Sequence, residues 1–429
     1  DVSNAWIGGA LIAPFFYNRF YIHKNTENTF VLEEKDTKCD VEDTNIVVYN
    51  IFEELDLPGE WYIDPESSTL YLYPTSDLGN VEITVADSSI LNIENSENIK
   101  ISDIEIGWNN KTAVLINSSK DVTIDSVTIR ATSGYGVIMS DSQRAAVKNS
   151  ELYDIAMGGV KINSSCGDSG KHIAGGCGVE NCHIYNFADE NSNMAGVDLQ
   201  GIGNFARHNV IHDSMSQGVL VYDYDNVVEN NEIYNVVRDI FDGGAIYIGG
   251  FGFMGIQIRS NYIHDIFKSH RGWGRIYSMY ADNAAPGITF ENNVVTQVGL
   301  YGGGRNNTIK NNIFIDSNIE YDKRALLGDW YRKNTNLYPQ IVNKPGFDRE
   351  TWYKEHPELK EMVEDCEKEK EYLNSAVTDE NGNVTYTKER FDAGEPKNVS
   401  VSDNLVISDT RNVNLNPVGL WWNPETEYG

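Results

Sequence analysis

The sequence has no hydrophobic run near about 18 residues, and this absence excludes a membrane-spanning helix. Basic residues are scarce, with 34 lysines and arginines against 64 aspartates and glutamates. The resulting net charge of −30 repels nucleic-acid phosphates and anionic lipid headgroups. We therefore expect no nucleic-acid partner and no membrane insertion. A neutral, polyhydroxylated partner such as an oligosaccharide fits the composition better.

Cysteine is also scarce. The five cysteines include no Cys-x-x-Cys pair, and their odd number leaves at least one without an intrachain partner. This pattern predicts small buried thiols and neither a disulfide framework nor a zinc site. The five are Cys39, Cys166, Cys177, Cys182 and Cys366.

Short aromatic and β-branched runs dominate residues 1–79, which we interpret as a small N-terminal β cap. Residues 60–63 and 70–73 flank an Asp-Pro-Glu-Ser-Ser segment, and these turn residues predict a hairpin. The chain begins at Asp1 without a methionine or a signal sequence, as expected for a trimmed product or a piece of a larger protein.

Residues 80–330 repeat a unit of two strands joined by a polar bend, at intervals of 19 to 32 residues. This period predicts an all-β fold, a parallel β-helix of about ten coils. Asparagine recurs at the later bends, which suits a ladder of side-chain amides and a left-handed backbone. An antiparallel sandwich would have no reason to keep one residue type at one phase. The bends are Asp103, Ser126, Ser150, Cys182, Asn209, Asn231, Asn261, Asn293 and Asn312.

A third strand in each coil alternates apolar and polar residues. Its outward positions are ordinary in the early coils and become acidic or aromatic in the later ones. With loop walls at 239–244 and 268–275, they predict a carbohydrate-binding groove. The outward residues are Asp198, Gln200, Tyr222, Asp223, Tyr247, Tyr280, Asp282, Glu320 and Asp322.

The pattern changes after residue 330, and we assign residues 331–429 to a C-terminal extension that covers the end of the β-helix. Residues 350–373 predict one solvated helix that Pro357 can interrupt. Residues 398–407 resemble one more repeat, and Trp421 with Trp422 is expected to pack on the last coil.

Two pairs of carboxylates compete for a catalytic role, since glycosidic hydrolysis needs one ionised and one protonated carboxyl group. Asp322 and Asp329 are seven residues apart, whereas Asp242 and Asp282 are expected one coil apart. A structural ion pair or a turn cap is the alternative for either pair.

Calcium is a further alternative at Asp223 with Asp225, because carboxylate oxygens suit that ion. No spacing here matches a defined calcium loop, so we assign no metal and no cofactor.

Four segments resemble the right-handed parallel β-helix glycosidases of gut bacteria: LPGEWYID at 57–64, TLYLYP at 69–74, DGGAIY at 242–247 and NNIFID at 311–316. The spacing of Asp322 and Asp329 resembles the catalytic pair of glycoside hydrolase family 136, the lacto-N-biosidases. That resemblance implies a retaining, exo-acting enzyme that releases lacto-N-biose from lacto-N-tetraose, a human milk oligosaccharide. The two aspartates would be nucleophile and acid/base, in either order.

The same resemblance implies an extracellular or cell-surface location on a bacterium. It also implies a separate helical N-terminal region or subunit needed for folding. Asp242 and Asp282 instead resemble the pair proposed in family 141, which includes fucosidases and xylanases. The segment Ala281-Asp282-Asn283 departs from the Asp-Asp-Gly pattern of that family.

We therefore predict Asp322 and Asp329 as the catalytic residues and other groove residues as substrate contacts. A polysaccharide lyase is disfavoured because the outward column has few basic residues, and a non-catalytic sugar-binding β-helix is a third alternative. The predicted contacts are Asp198, Gln200, Tyr222, Asp223, Asp242, Tyr247, Trp273, Asp282 and Trp330.

Overall fold

The structure is a computed structural model. It describes residues 4–13, 16–26, 29–32, 46–77, 79, 83–164, 170–189, 193–238, 240, 242–250, 253–267, 275–322, 340–391, 393, 396–408 and 417–418.

Three long parallel sheets wind into one β-helix, in which each coil adds one strand to each sheet. Sheet 1 has eleven strands, and sheets 2 and 3 have ten each. The predicted parallel β-helix of about ten coils is therefore confirmed. The strands of sheet 1 are Leu91–Glu94, Val114–Asn117, Val137–Ser140, Val160–Asn163, Ala195–Gln200, Gln217–Val221, Asp242–Ile248, Arg275–Ala281, Leu300–Gly302, Ile319–Asp322 and Pro417–Val418.

Sheets 2 and 3 follow sheet 1 in each coil. Sheet 2 comprises Glu97–Ser102, Lys120–Asp125, Ala146–Lys148, Gly178–Glu180, Phe205–Arg207, Val227–Glu229, Gln257–Arg259, Thr289–Glu291, Thr308–Lys310 and Ser400–Ser402. Sheet 3 comprises Glu105–Asn109, Thr128–Thr132, Glu151–Ile155, His183–Phe187, Val210–Ser214, Glu232–Tyr234, Tyr262–His264, Val294–Thr296, Ile313–Ile315 and Leu405–Ile407.

The core runs along the axis of the β-helix, because equivalent residues of successive coils stack inside it. Val197 pairs in register with Val219, and Val219 with Ile246. Burial of each such side chain contributes about 1.5–3 kcal/mol. The inward residues that alternation predicts in sheet 1 are all 0% exposed: Val160, Ile162, Val197, Leu199, Val219, Val221, Ile246 and Ile248.

An asparagine ladder runs between sheets 2 and 3. The Oδ1 atom of Asn231 accepts hydrogen bonds from the backbone N–H and the Nδ2 of Asn209, and Asn261 does the same for Asn231. The ladder continues through Asn293 and Asn312 to Asn404. The predicted amide ladder is confirmed.

The left-handed residue is a different one. It precedes the ladder residue by one position, as at Asn230 with φ 55° and Ser260 with φ 56°. The predicted bends therefore mix two roles, because Asp103 and Ser126 are themselves left-handed whereas Asn231 and Asn261 are ladder residues.

The N-terminal part contains antiparallel strands. A four-stranded sheet has the order Thr29–Leu32, Phe16–Thr26, Trp6–Ala13 and Ile46–Tyr49. A short 3-10 helix spans Phe52–Glu54. Trp61–Asp64 pairs with Thr69–Leu72, so the hairpin predicted around residues 64–68 is confirmed.

Two helices follow the 3-10 helix Gln340–Asn343: α1 (Arg349–Glu355) and α2 (Pro357–Leu373). The interruption at Pro357 is confirmed, but the prediction of a solvated helix is wrong for one face. That face packs against the loops between sheets 1 and 2, where the indole Nε1 of Trp352 donates to the carbonyl of Gly170 at 3.0 Å. The buried residues of the helices are Trp352, Leu359, Met362, Asp365, Cys366, Glu369 and Tyr372.

A buried ion pair also fixes α2 to the β-helix, since Arg305 Nη1 lies 2.6 Å from Asp365 Oδ2. After the hairpin of Ala376–Thr378 and Val384–Tyr386, the chain returns to the β-helix. Ser400–Ser402 and Leu405–Ile407 pair with the ninth coil, which confirms the extra repeat predicted at 398–407.

Trp421 and Trp422 lie outside the described residues. The described cysteines Cys177, Cys182 and Cys366 are all buried. Among the described residues, no helix has the length and apolar character needed to cross a bilayer.

Replacing a central rung of the ladder should destabilise the protein. Asn261→Ala removes the acceptor of two Asn231 donors and the donor to the carbonyl of Val228. Because these groups are buried, we expect a loss of about 3 kcal/mol in the free energy of unfolding. Asn404→Ala, at a partly exposed terminal rung, should cost only about 1 kcal/mol. Urea unfolding checks both values, and equal losses would contradict a buried ladder.

Candidate functional site

The outward face of sheet 1 forms one continuous column of side chains. The column begins with a basic and an acidic residue, carries three tyrosines in its middle coils and ends in a glutamate. In register, it consists of Lys161, Asp198, Leu220, Tyr247, Tyr280, Tyr301 and Glu320. Four of the predicted outward residues lie in this column, namely Asp198, Tyr247, Tyr280 and Glu320, whereas Leu220 rather than Tyr222 is in register with them.

A tyrosine cluster occupies the middle of this face. The ring centroids of Tyr247 and Tyr280 lie 5.2 Å apart, and Tyr277 and Tyr301 each lie 5.1–5.3 Å from Tyr280. Gly244 permits this packing, because a Cβ at that position would lie 2.9 Å from the Cβ of Tyr280. Because Gly244 has no side chain, the tyrosine rings can pack closely on the outward face of sheet 1.

Asp242 and Asp282 both hydrogen-bond to this cluster. Asp242 Oδ1 accepts a hydrogen bond from the Tyr280 hydroxyl at 2.8 Å. Asp282 Oδ2 accepts from the Tyr247 hydroxyl at 2.7 Å and from Asn283 Nδ2 at 3.0 Å. Two adjacent, edge-packed tyrosines therefore link the two carboxyl groups.

The environment of Asp242 favours its protonated form. Burial and the negative charge of Asp282 raise the pKa of Asp242 to about 6, against smaller opposing effects of Tyr280 and Arg275. Asp282 accepts two hydrogen bonds, one from Tyr247 and one from Asn283. Asp242, whose environment favours the protonated form, suits the role of a general acid. Asp282, which accepts hydrogen bonds, suits the role of a nucleophile or a general base.

A third carboxyl group lies further along the outward face of sheet 1. Asp198 is only 3% exposed, and burial raises its pKa even though Lys161 and Gln200 favour the charged form. The Lys161 ammonium lies 3.6 Å from Asp198 Oδ2, and Gln200 Nε2 donates to both carboxylate oxygens at 3.1 Å. Asp198 is therefore covered by its neighbours and holds Gln200 in place.

A pocket of about 380 Å³ opens beside the ends of these strands. Burial, with the charges of Asp198 and Asp282, raises the pKa of Tyr222 in this pocket to about 12. Asp223 lines the same pocket, and its Oδ2 accepts from the backbone N–H of Gly201 at 2.6 Å. The lining residues are Asn163, Ser164, Gln200, Gly201, Tyr222, Asp223, Tyr224, Phe253, Ile341 and Lys344.

Two groove contacts were not predicted from the sequence. The Tyr277 hydroxyl donates to Glu320 Oε2 at 2.7 Å, and Arg275 Nη1 donates to the Tyr301 hydroxyl at 3.0 Å. Strict alternation does not predict that Tyr277 faces outward with Tyr280, because the two residues are three positions apart. Both rings nevertheless lie in one cluster. Aligning residues 300–302 with the preceding strand would have found Tyr301.

The predicted catalytic pair Asp322 and Asp329 stays a prediction. The backbone of Asp322 ends the sheet 1 strand Ile319–Asp322 and pairs with Val418, but its side chain lies outside the described residues. Asp329, together with the predicted contacts Trp273 and Trp330, also lies outside them.

Asp223 and Asp225, the pair considered for calcium, have different partners. Whereas Asp223 bonds to Gly201, Asp225 Oδ2 lies 2.6 Å from His172 Nε2 and 3.2 Å from His356 Nε2. Burial acts against ionisation of Asp225, but the two histidines lower its pKa overall. The structure thus places Asp225 in a cluster with two histidines and shows Asp223 bonded to Gly201.

The elevated pKa of Asp242 predicts a pH-dependent loss of stability. Its pKa is about 6 in the folded protein against an ordinary value of 3.8, so the folded state is penalised as the pH rises from about 4 through 6. A shift of this size corresponds to at most about 3 kcal/mol. Asp242→Asn should therefore unfold at a higher temperature than the wild type at pH 8 but not at pH 4. Melting curves across this range check the difference, and a gap independent of pH would contradict it.

Solved structures with a similar winding of the chain include the A-module of the Azotobacter vinelandii mannuronan C-5 epimerase AlgE6, with 14% identity and a TM-score of 0.44. The alignment covers 51% of this chain and 58% of that one. The protein XylC, solved with xylose, has 14% identity and a TM-score of 0.42, covering 73% of this chain and 53% of that one.

A glycoside hydrolase has 10% identity and a TM-score of 0.38, covering 74% of this chain and 65% of that one. Identities and scores this low do not transfer an activity or a substrate to this chain. No curated protein matches the chain in sequence.

A family profile, in contrast, matches most of the chain. The family described as a right-handed beta helix region matches residues 44–188 and 164–314, which together exceed half of the 429 residues. The matched segments contain the coils that carry Asp242 and Asp282. The chain belongs to the right-handed β-helix family.

Proposed function

We propose that this protein is a glycoside hydrolase that cleaves a neutral oligosaccharide on the outward face of sheet 1. The observation that carries this proposal is the contrast between Asp242 and Asp282. Both bond to one tyrosine cluster, but burial keeps the pKa of Asp242 near 6 while Asp282 accepts two hydrogen bonds. A carboxylic acid and a carboxylate on one face are the two groups that glycosidic hydrolysis requires.

In this mechanism Asp242 donates its proton to the glycosidic oxygen as the bond to the anomeric carbon breaks. Asp282 either attacks that carbon or removes a proton from an attacking water. The hydroxyl of Tyr247 donates to Asp282 and orients it, and the hydroxyl of Tyr280 orients Asp242. In the retaining route, water then hydrolyses the ester on Asp282 and returns a proton to Asp242.

The surroundings of the pair suit a sugar. Tyr222 and Phe253 provide apolar ring surface in the adjacent pocket, while Asn163 and Gln200 provide amides that bond to hydroxyl groups. The net charge of −30 disfavours a polyanionic chain. A neutral oligosaccharide therefore fits the groove better than a uronate polymer does.

The resemblance to glycoside hydrolase family 136 supports a more specific form of this proposal. In that form the substrate is lacto-N-tetraose, the product is lacto-N-biose, and Asp322 with Asp329 performs the chemistry. The strand Ile319–Asp322 lies in sheet 1, two strands beyond the one that precedes Asp282. Asp242 and Asp282 would then bind the sugar.

Four substitutions separate these assignments. If the tyrosine-linked pair is catalytic, Asp242→Asn and Asp282→Asn should each lower kcat at least about 100-fold, while Asp322→Asn and Asp329→Asn should have smaller effects. The reverse pattern would assign catalysis to the family 136 pair. Asp265→Asn, an exposed change on sheet 3, is the control for folding. Activity is measured by chromatography of products from milk, fucosylated and xylan oligosaccharides.

The same chromatographic assay tests the alternatives. A product that absorbs in the near ultraviolet would indicate a lyase, since elimination leaves an unsaturated sugar. Saturable sugar binding without any released product would indicate a non-catalytic binding protein. Either result would overturn the hydrolase proposal.

The dependence of kcat/KM on pH in the wild-type enzyme should reveal the ionisation of the general acid, Asp242. Because Asp242 must be protonated to donate, kcat/KM should fall as the pH rises through about 6. Tyr280→Phe removes a hydrogen bond that favours the ionised form of Asp242, so the decrease in kcat/KM should move to higher pH. If kcat/KM decreases at the same pH in that variant as in the wild type, Asp242 is not the acid.

A further inference from the structure

Two histidines and an aspartate meet where the helical extension packs on the β-helix. His172 belongs to the loop before the sheet 2 strand Gly178–Glu180, Asp225 to the turn before Val227–Glu229, and His356 to the junction of α1 and α2. We propose that His172, Asp225 and His356 bind a divalent transition-metal ion of the zinc class. This proposal does not rest on the glycosidase activity.

The three ligand atoms are already close together, all within 4.8 Å of one another. Asp225 Oδ2 lies 2.6 Å from His172 Nε2 and 3.2 Å from His356 Nε2. Ligand atoms of a tetrahedral zinc site lie about 3.3 Å apart, because the bonds are about 2.0–2.1 Å long. A metal ion would take the place of the hydrogen-bonded protons between Asp225 and the two histidines with only small shifts of these side chains.

The neighbours of the cluster orient the ligands. His356 Nδ1 lies 3.3 Å from Glu358 Oε1, so a carboxylate holds the far side of a ligating imidazole, as is common in metal sites. The His172 ring packs edge-on against Trp352 at 4.7 Å. Gly255 keeps space beside the carboxylate, because a Cβ there would lie 2.1 Å from Asp225 Oδ1.

The donor set selects the ion. Two imidazole nitrogens and one carboxylate oxygen suit Zn²⁺, Co²⁺ or Ni²⁺, whereas Ca²⁺ takes six to eight oxygen ligands. Asp225 and His172 are partly exposed, so water can complete the coordination.

A bound ion would join three segments that are distant in sequence. Asp225 follows Asp223 and Tyr224, which line the 380 Å³ pocket, and His356 holds the start of α2. Metal binding would therefore fix the pocket wall to the helical extension. Anything that binds only the folded state raises its stability, so the effect can be measured as thermal stabilisation.

The test uses the full chain after treatment with EDTA and dialysis. Titration calorimetry with Zn²⁺ should show one tight site per chain, and the melting temperature should rise with Zn²⁺ but not with Ca²⁺ or Mg²⁺. Co²⁺ should produce visible d–d absorption that Zn²⁺ abolishes. His172→Gln and Asp225→Asn should each weaken Zn²⁺ binding at least about 100-fold, as expected when a ligand is lost.

His183→Gln is the matched control, because His183 Nε2 lies 2.7 Å from His212 Nε2 on sheet 3 and could bind zinc adventitiously. That variant should keep the tight site and the thermal stabilisation. If wild type and His172→Gln bind Zn²⁺ equally, or if His183→Gln alone loses binding, the three residues form only an ion-paired cluster. His172→Gln changes a partly exposed side chain and is used because a change at buried His356 can prevent folding.

Discussion

The in-register stacking of equivalent residues from coil to coil is the constraint on which this structure depends. The Asn209–Asn404 ladder satisfies buried backbone donors at one phase of the later coils, and aliphatic side chains fill the axis at another phase. Once the inward residues are fixed, the outward residues of sheet 1 must also align. A column of functional groups is thus a by-product of how the core packs.

The groove departs from the rules that stabilise the rest of the molecule. Asp242 is partly buried and is affected by the charge of a second carboxylate, Asp282, and Asp198 is almost inaccessible to solvent. Desolvated carboxyl groups cost stability, and the stacked aliphatic core around the axis offsets that cost. A raised pKa suits the proton transfer proposed for Asp242, because more of the group stays protonated near neutral pH than at an ordinary pKa.

The fold was largely predictable from the sequence. Both the repeat period and the alternation of apolar residues such as Val197 and Leu199 can be recognised within short stretches of the chain. The site was only partly predictable. Alternation indicated Asp198 and Tyr247 but not Tyr277, because the phase changes within its strand. His172 and His356 lie 53 and 131 residues from Asp225, and no spacing rule links them. Such sites arise from packing between segments rather than from a motif.

The tenth coil is discontinuous in sequence. Its sheet 1 strand ends at Asp322, and its sheet 2 strand begins only at Ser400. During synthesis, nine coils can therefore form in order as the chain emerges, each on the template of the one before. The coil that contains the strand Ile319–Asp322 can close only after about eighty more residues have been synthesised. The outward face of sheet 1 is therefore completed last. A ribosome that stalls within this interval would leave a folded array with one open edge.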